Sequence, residues 1–184
     1  MTDFNTDELA GAVRGGIVKP GDESYDQARA VWNGRFDRRP AAIIRCHDAD
    51  DVKAGIDFAR RRGLRLAVRA GGHSNAGHSA IDGGLLVDLS LMKGVEVDPE
   101  SKTARVQPGV KWGELNPVAE EHGLATPGGT VSTVGVAGFT LGGGGGYLTR
   151  KYGMAVDNLL SVEVVTADGR FVRASSEGNP DLFW

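Results

Sequence analysis

One stretch of the chain combines backbone suited to binding an anion with a histidine that could react with the bound group. It reads Val68-Arg69-Ala70-Gly71-Gly72-His73-Ser74-Asn75-Ala76-Gly77-His78-Ser79 and directly follows a predicted strand. Consecutive glycines let successive backbone N–H groups converge into a nest that suits a pyrophosphate, and Ser74 and Asn75 could add donors. The central position of His73 in this loop would place its imidazole close to whatever the loop binds.

A second glycine-rich stretch spans residues 127–146 and ends in five consecutive glycines. It lacks the acidic residue that accompanies the dinucleotide fingerprint G-x-G-x-x-G and the lysine of a phosphate-binding P-loop. Five glycines alone therefore specify no function. The two stretches contain most of the glycine excess, since 28 of the 184 residues are glycine, about twice the usual share of roughly 7%.

The elements around the first stretch predict a parallel β-α-β unit. Strands are expected at residues 41–45, 64–69 and 85–89, with a helix that Asp48 or Asp50 caps and that runs to about Arg62. Gly63 would end this helix, and Val52, Ile56 and Ala59 would share its apolar face. Before this unit, we expect a helix at residues 6–14 and another opened by a Ser24–Gln27 capping box.

From Gly94 onward the pattern is typical of antiparallel strands. Strands are expected at residues 95–97 and 104–106 around Asp98-Pro99, and at 159–166 and 171–173 around a four-residue turn. A helix at residues 111–122 is indicated by helical spacing of Trp112, Leu115 and Val118-Ala119. The chain ends on Leu182-Phe183-Trp184 just after a helix-capping signal, so we expect it to be truncated.

Composition excludes several classes of function. The net charge of -3 gives no basic face for nucleic acid, and the single cysteine, Cys46, allows no internal disulfide. Residues 1–16 lack the long apolar core of a signal peptide or membrane span. The sequence thus predicts a cytoplasmic protein that binds neither nucleic acid nor membrane, with no metal site and no identified catalytic base.

Six motifs in a fixed order resemble one known family. The pattern R-x-G-G-H-S-x-x-G-x-S lies at residues 69–79, and T-V-G-V-x-G-x-T-L-G-G-G lies at 133–144. Motifs related to D-G-G-L-V-x-D-L-S, R-K-Y-G-x-x-x-D-N-L-L, V-T-A-D-G and N-P-D-L-F-W occur at 82–90, 150–160, 165–169 and 179–184. Together they resemble the FAD-binding domain of the vanillyl-alcohol oxidase and p-cresol methylhydroxylase superfamily, in its berberine bridge enzyme-like branch.

The resemblance implies an α+β fold, with a small β-α-β lobe at about residues 1–90 and a mainly antiparallel second lobe at about 91–184. It also implies a set of FAD contacts. The pyrophosphate would be wrapped by Arg69, Ala70, Gly71, Gly72, His73, Ser74, Asn75 and Gly77, with His78 either near the cofactor or in a polar structural role. The ribityl chain, pyrophosphate and ring would contact Thr133, Val134, Gly135, Gly138, Leu141, Gly142, Gly143 and Gly144, and the adenine end would contact Val162 and Val164.

The family also implies a covalent bond between His73 and the 8α-methyl carbon of the flavin. Much of the branch adds a second bond from a cysteine, but the matching residue here is Val131, which has no nucleophile. We therefore expect FAD to be attached through His73 alone.

The function implied is that of an FAD-dependent oxidase or dehydrogenase. A C–H bond of a small organic substrate would deliver hydride to the flavin, and oxygen or another acceptor would reoxidise it. The substrate domain of such enzymes is absent from these residues, so the chain alone is expected to be inactive. Two alternatives remain: a non-catalytic FAD-binding fragment, and a reductase of the same superfamily with dissociable FAD, against which His73 argues.

Overall fold

A four-stranded sheet forms the core of the first lobe, the name used below for residues 6–90. The computed structural model describes residues 6–184, so part of the N-terminal segment considered above lies outside the described residues. The elements of this lobe are α1 (Asp7–Ala10), β1 (Ile17–Val18), α2 (Tyr25–Arg29), β2 (Ala42–Arg45), α3 (Ala49–Arg62), β3 (Leu66–Arg69) and β4 (Leu85–Asp88).

The predicted parallel β-α-β unit is confirmed, with β4 inserted between its two strands. The sheet order is β1-β2-β4-β3, and both β2 and β3 run parallel to β4. All four residues of β4 are buried, which suits a strand with a neighbour on each side. Because the strands are parallel, their carboxyl ends meet at one edge, where Arg45 and Arg69 lie on either side of Asp88.

Helix α3 begins and ends as predicted, but its buried face differs. The Asp48 side chain accepts hydrogen bonds from the backbone of Asp50 and Asp51, and Gly63 ends the helix with φ of 62°. The buried residues are Asp51, Gly55, Phe58 and Ala59, whereas the predicted Val52 and Ile56 are only half-buried. The buried face of the helix includes Gly55 because this residue lets the helix approach the sheet closely. A Cβ added to Gly55 would lie 2.7 Å from the Ile44 side chain.

The N-terminal elements are shorter than predicted. The helix expected at residues 6–14 is reduced to α1, with Gly11 as its C-cap. Helix α2 forms after Ser24, but the predicted capping box is wrong. Ser24 has helical dihedral angles, φ -82° and ψ -5°, and its side chain makes no capping hydrogen bond.

The second lobe, residues 91–184, contains two antiparallel strand pairs, as predicted. Its elements are β5 (Val95–Asp98), β6 (Thr103–Val106), α4 (Trp112–Glu120), α5 (Val136–Leu141), α6 (Thr149–Tyr152), a 3₁₀ turn (Val156–Asn158), β7 (Ser161–Val165), β8 (Phe171–Ser175) and α7 (Pro180–Phe183). Strand β5 pairs with β6, and β7 pairs with β8. Val110, Trp112 and Leu115 form the buried cluster between α4 and the first pair.

One contact between the two lobes joins α3 to the turn after β7. The Arg60 guanidinium donates a hydrogen bond to the Asp168 carbonyl over 2.7 Å, and Gly169 packs against the Asp57 side chain. The α+β fold class is confirmed. Among residues 6–184, no helix has the length and apolar character needed to cross a bilayer.

Candidate functional site

The two glycine-rich stretches meet at Gly71 and Gly135. A Cβ added to Gly71 would lie 2.6 Å from the Cα of Gly135, and one added to Gly135 would lie 2.7 Å from the Gly71 nitrogen. Real Cβ atoms do not approach backbone this closely, so only glycine fits at either position. The contact brings two loops of distant sequence together and confirms that the stretches form one structure.

The second stretch is positioned by backbone hydrogen bonds to the start of α4. Trp112 N–H donates to the Val134 carbonyl over 3.0 Å, and Gly113 N–H donates to the Ser132 carbonyl over 2.9 Å. The Trp112 ring lies 1% exposed beneath Gly128 and Gly129, neither of which has room for a side chain. The second glycine-rich loop is therefore held both by these hydrogen bonds and by packing on the buried tryptophan.

The first stretch leaves β3 and turns sharply around His73. Gly72 and Gly77 have φ of 72° and 74°, values that favour glycine. The Ser74 carbonyl accepts a hydrogen bond from Gly77 N–H, and its hydroxyl oxygen accepts one from His78 N–H. Ser74 thus stabilises the turn itself.

A cavity of about 670 Å³ opens beside these loops, at the carboxyl edge of the parallel sheet. Its volume is within the usual range for ligand pockets, roughly 300–1,000 Å³. Predicted site residues that line it are Arg69, Ala70, Gly71, Gly72, His73 and Thr133. The other predicted site residues are not among its lining: Ser74, Asn75, Gly77, His78, Val134, Gly135, Gly138, Leu141, Gly142, Gly143, Gly144, Val162 and Val164.

The predicted site residues that do not line the cavity lie in several different elements. Gly135 abuts Gly71 from behind the lining, whereas Leu141 is 66% exposed at the end of α5. Gly143 and Gly144 have positive φ and pack against Met154 and Phe139. Val162 and Val164 are half-buried in β7.

A buried ion pair lies at the floor of the cavity. Arg69 donates from Nε to Asp88 Oδ1 over 3.2 Å, its Nη2 lies 2.9 Å from Asp88 Oδ2, and its Nη1 donates to the Ala30 carbonyl. Asp88 also accepts bonds from the backbone and hydroxyl of Ser90. The Arg69 side chain is therefore held in place by these contacts within the protein.

The charged groups that line the cavity favour an anion. They are the cations Arg45, Arg69 and Lys111 and the single anion Asp88, so three positive charges and one negative charge leave a formal charge of +2. A diphosphate diester carries two negative charges. The lining therefore matches it in charge.

The imidazole of His73 is half-buried and stacks on the indole of Trp32. The ring centroids are 5.0 Å apart and the planes differ by 18°. Neither imidazole nitrogen has a hydrogen-bond partner within residues 6–184. Burial, and secondarily the charge of Lys111, lower the pKa of His73 below its ordinary value. The lowered pKa favours the neutral form of the imidazole, which has a nitrogen lone pair.

The lining residues that were not predicted as site residues include Trp32, Arg45, Asp88, Ser90 and Lys111. Arg45 and Asp88 could have been found, because the carboxyl ends of parallel strands commonly bind ligands. Trp32 and Lys111 carry no such local signal, since only the tertiary fold brings them to His73.

Comparison with known proteins identifies the family. The FAD-binding domain family matches residues 40–175. The chain belongs to this family. It is 39% identical over 173 residues to (R)-6-hydroxynicotine oxidase of Paenarthrobacter nicotinovorans, covering 94% of this chain and 38% of that protein.

Solved structures agree on fold and branch. The crystal structure of 6-hydroxy-D-nicotine oxidase from Arthrobacter nicotinovorans superposes with a TM-score of 0.91 at 40% identity, covering 94% of this chain and 38% of that one. The wild-type Physcomitrella patens protein BBE-like 1 also gives 0.91, at 33% identity, covering 96% and 39%. The resemblance to the berberine bridge enzyme-like branch is confirmed. The chain spans less than two-fifths of the length of these relatives.

The residues of the site fit FAD. The Gly71–Gly135 contact leaves bare backbone where an added side chain would intrude. The lining has a net positive charge that suits a diphosphate, and the His73 imidazole, with its lowered pKa, lines the cavity.

Proposed function

We propose that this FAD-binding domain is the flavin-binding part of an FAD-linked oxidase or dehydrogenase and that His73 carries the FAD covalently. The observation that carries the proposal is the position of His73: it follows the Gly71–Gly135 contact by two residues and lines the cavity with both nitrogens unpartnered. An unpartnered, neutral imidazole is a competent nucleophile, whereas a structural histidine is normally hydrogen-bonded.

The cofactor contacts form part of the same proposal. The backbone N–H groups of residues 69–74 would bind the diphosphate, supported by the positive lining and by Thr133. The ribityl chain, ring and adenine would extend over the second lobe. This part of the proposal retains the sequence-predicted residues that do not line the cavity: Asn75, Gly77, His78, Val134, Gly135, Gly138, Leu141, Gly142, Gly143, Gly144, Val162 and Val164.

The tether would be a single bond. Its formation joins an imidazole nitrogen of His73 to the 8α carbon; the histidine and the methyl group each lose one hydrogen, and the two electrons pass through the flavin to oxygen or another acceptor. Val131 is 51% exposed and has no nucleophilic atom, so it supplies no second bond. A covalent tether would prevent loss of the cofactor and is expected to raise its reduction potential.

The proposed reaction of the whole protein is hydride removal from a C–H bond of a small organic substrate. Bound FAD supplies the hydride acceptor, while the protein binds and orients it. The relative named (R)-6-hydroxynicotine oxidase supports an oxidase-type reaction. We place the substrate-facing residues and the catalytic base outside these 184 residues, because the relatives are more than twice as long. The division into lobes at about residue 90 belongs to this proposal.

Acid precipitation of the intact protein that carries this chain tests the tether. We expect yellow colour to stay with the denatured wild-type protein and to map to the peptide that contains His73. In His73→Ala the colour should be released, whereas His122→Ala, an exposed histidine at the end of α4, should retain it. Release of FAD from the wild type would contradict the tether and support the alternative of a reductase with dissociable FAD.

A further inference from the structure

The stacking of Trp32 on His73 assigns a role to a residue that no motif singles out. We infer that Trp32 is a positioning residue that orients the His73 imidazole for attachment to the flavin. This inference rests on the covalent tether proposed above.

The stack on Trp32 is the aromatic contact of the imidazole within residues 6–184. A reactive histidine is commonly oriented by a hydrogen bond from one ring nitrogen to a carboxylate or carbonyl. His73 makes no such bond, and its ring instead lies nearly parallel to Trp32, at 18° and 5.0 Å. Stacking restricts the ring plane while leaving both nitrogens available. It therefore orients the nucleophile without occupying it.

Trp32 is hydrogen-bonded to the loop that contains His73. Its backbone N–H donates to the carbonyl of Gly72, the residue before His73, over 3.2 Å. Further along the same segment, Phe36 packs on Gly77, which has no room for a side chain, and Arg38 donates to the Gly77 carbonyl over 3.2 Å. Residues 32–38 thus form a clasp along the His73 loop, in which the Trp32–Gly72 hydrogen bond holds the indole beside the imidazole.

Because Trp32 is largely exposed, its proposed role in orienting His73 can be distinguished from a contribution to the hydrophobic core. Its side chain is 65% exposed although it lines the cavity. Replacing it opens no buried void, so the global stability of the protein should change little. A defect confined to attachment of the cofactor would then report on orientation.

The test measures the rate of covalent attachment in the intact protein. Apoprotein is mixed with saturating FAD, samples are quenched in acid over time, and the flavin fluorescence of the protein band is measured on a denaturing gel. We expect Trp32→Leu to slow attachment about threefold to tenfold, the range that corresponds to loss of one aromatic stacking contact. Trp32→Phe, which keeps a ring, should restore most of the rate.

Phe36→Leu provides the matched control. It alters the same clasp at Gly77, away from His73, and should leave the rate near that of the wild type. The dissociation constant of FAD, measured in the His73→Ala background with and without Trp32→Leu, should be unchanged. In the apoprotein, NMR should show ring-current shifts of the His73 imidazole protons that disappear in Trp32→Leu.

The outcomes distinguish the two proposals. If the wild type forms covalent flavin and Trp32→Leu reacts as fast as the wild type, the role of Trp32 alone is overturned. The same conclusion follows if Trp32→Phe reacts as slowly as Trp32→Leu. A wild-type protein without covalent flavin overturns both the tether and this role. Equal slowing by Phe36→Leu would show that the clasp as a whole acts, and would also overturn the assignment to Trp32.

Discussion

At His73, the protonation state of the imidazole decides whether a nitrogen lone pair is available for bond formation. Burial lowers the pKa of this group, and the nearby Lys111 cation lowers it further. A lowered pKa means that the neutral form persists to more acidic pH than for an ordinary histidine. The site is thus suited to nucleophilic chemistry at neutral pH.

We therefore predict that the rate of flavin attachment rises with pH and reaches half its plateau below pH 6.5, the ordinary pKa of histidine. Lys111→Met should move this midpoint upward, because one cause of the lowered pKa is removed. The measurement is the acid-quenched attachment assay repeated across pH at saturating FAD. A midpoint above 6.5 in the wild type, or one that does not move in Lys111→Met, would contradict the proposed environment.

At this scale, the sequence predicts His73 as a site residue but does not predict its neighbours. His73 is recognisable because the consecutive glycines and the surrounding motif are local. Trp32 and Lys111 are distant in sequence, and their approach to His73 depends on the clasp and on the start of α4. Stacking and long-range charge leave no pattern in a single sequence.

Among the elements, the contact between the two glycine loops holds two segments of distant sequence together. Gly71 lies just after β3 and Gly135 just before α5, and each excludes a Cβ on the other. The short helix α5 and the positive φ of Gly143 and Gly144 shape the remainder of the second loop.

Alanine at either contact position should separate the loops. We predict that Gly71→Ala or Gly135→Ala lowers the free energy of unfolding by about 1–3 kcal/mol, the typical cost of overpacking, and sharply reduces retention of FAD. The measurements are urea unfolding and the flavin content of the purified intact protein. Gly145→Ala is the control, since its added Cβ meets nothing within 4 Å; an equal effect there would show that the contact is not responsible.

Regular elements were largely predictable, because periodicity and caps are local. Strands β2 to β8 and helices α3 and α4 form close to their predicted positions, with Asp48 and Gly63 as the ends of α3. The insertion of β4 between β2 and β3 was not predictable, since strand order depends on the whole sheet. Helices α5 and α6 were missed because their short spans lie in or next to glycine-rich sequence.

Across the whole molecule, the cavity floor depends on one buried charge pair. Asp88 is 1% exposed and Arg69 is 8% exposed, and they join adjacent parallel strands at the edge that faces the cavity. The motif analysis predicted Arg69 as a cofactor contact, but only the sheet order reveals Asp88 as its partner.

Removal of one member of this pair should be costly because the other would remain buried and unpaired. We predict that Asp88→Ala lowers the free energy of unfolding by about 3–5 kcal/mol, measured by chemical denaturation of the intact protein. Glu163→Ala, which breaks the exposed pair with Arg105, should cause a far smaller loss. Similar losses in the two variants would argue against a special contribution from the buried pair.

The meeting of Gly71 with Gly135 also constrains the order of events during synthesis. A nascent chain released only as far as residue 130 contains Gly71 but lacks Gly135, so the two glycine loops cannot yet meet. On the proposed function, FAD capture would then follow synthesis of both glycine loops. FAD bound to the completed site would stabilise the native state by mass action, so the free energy of unfolding should rise with the concentration of FAD.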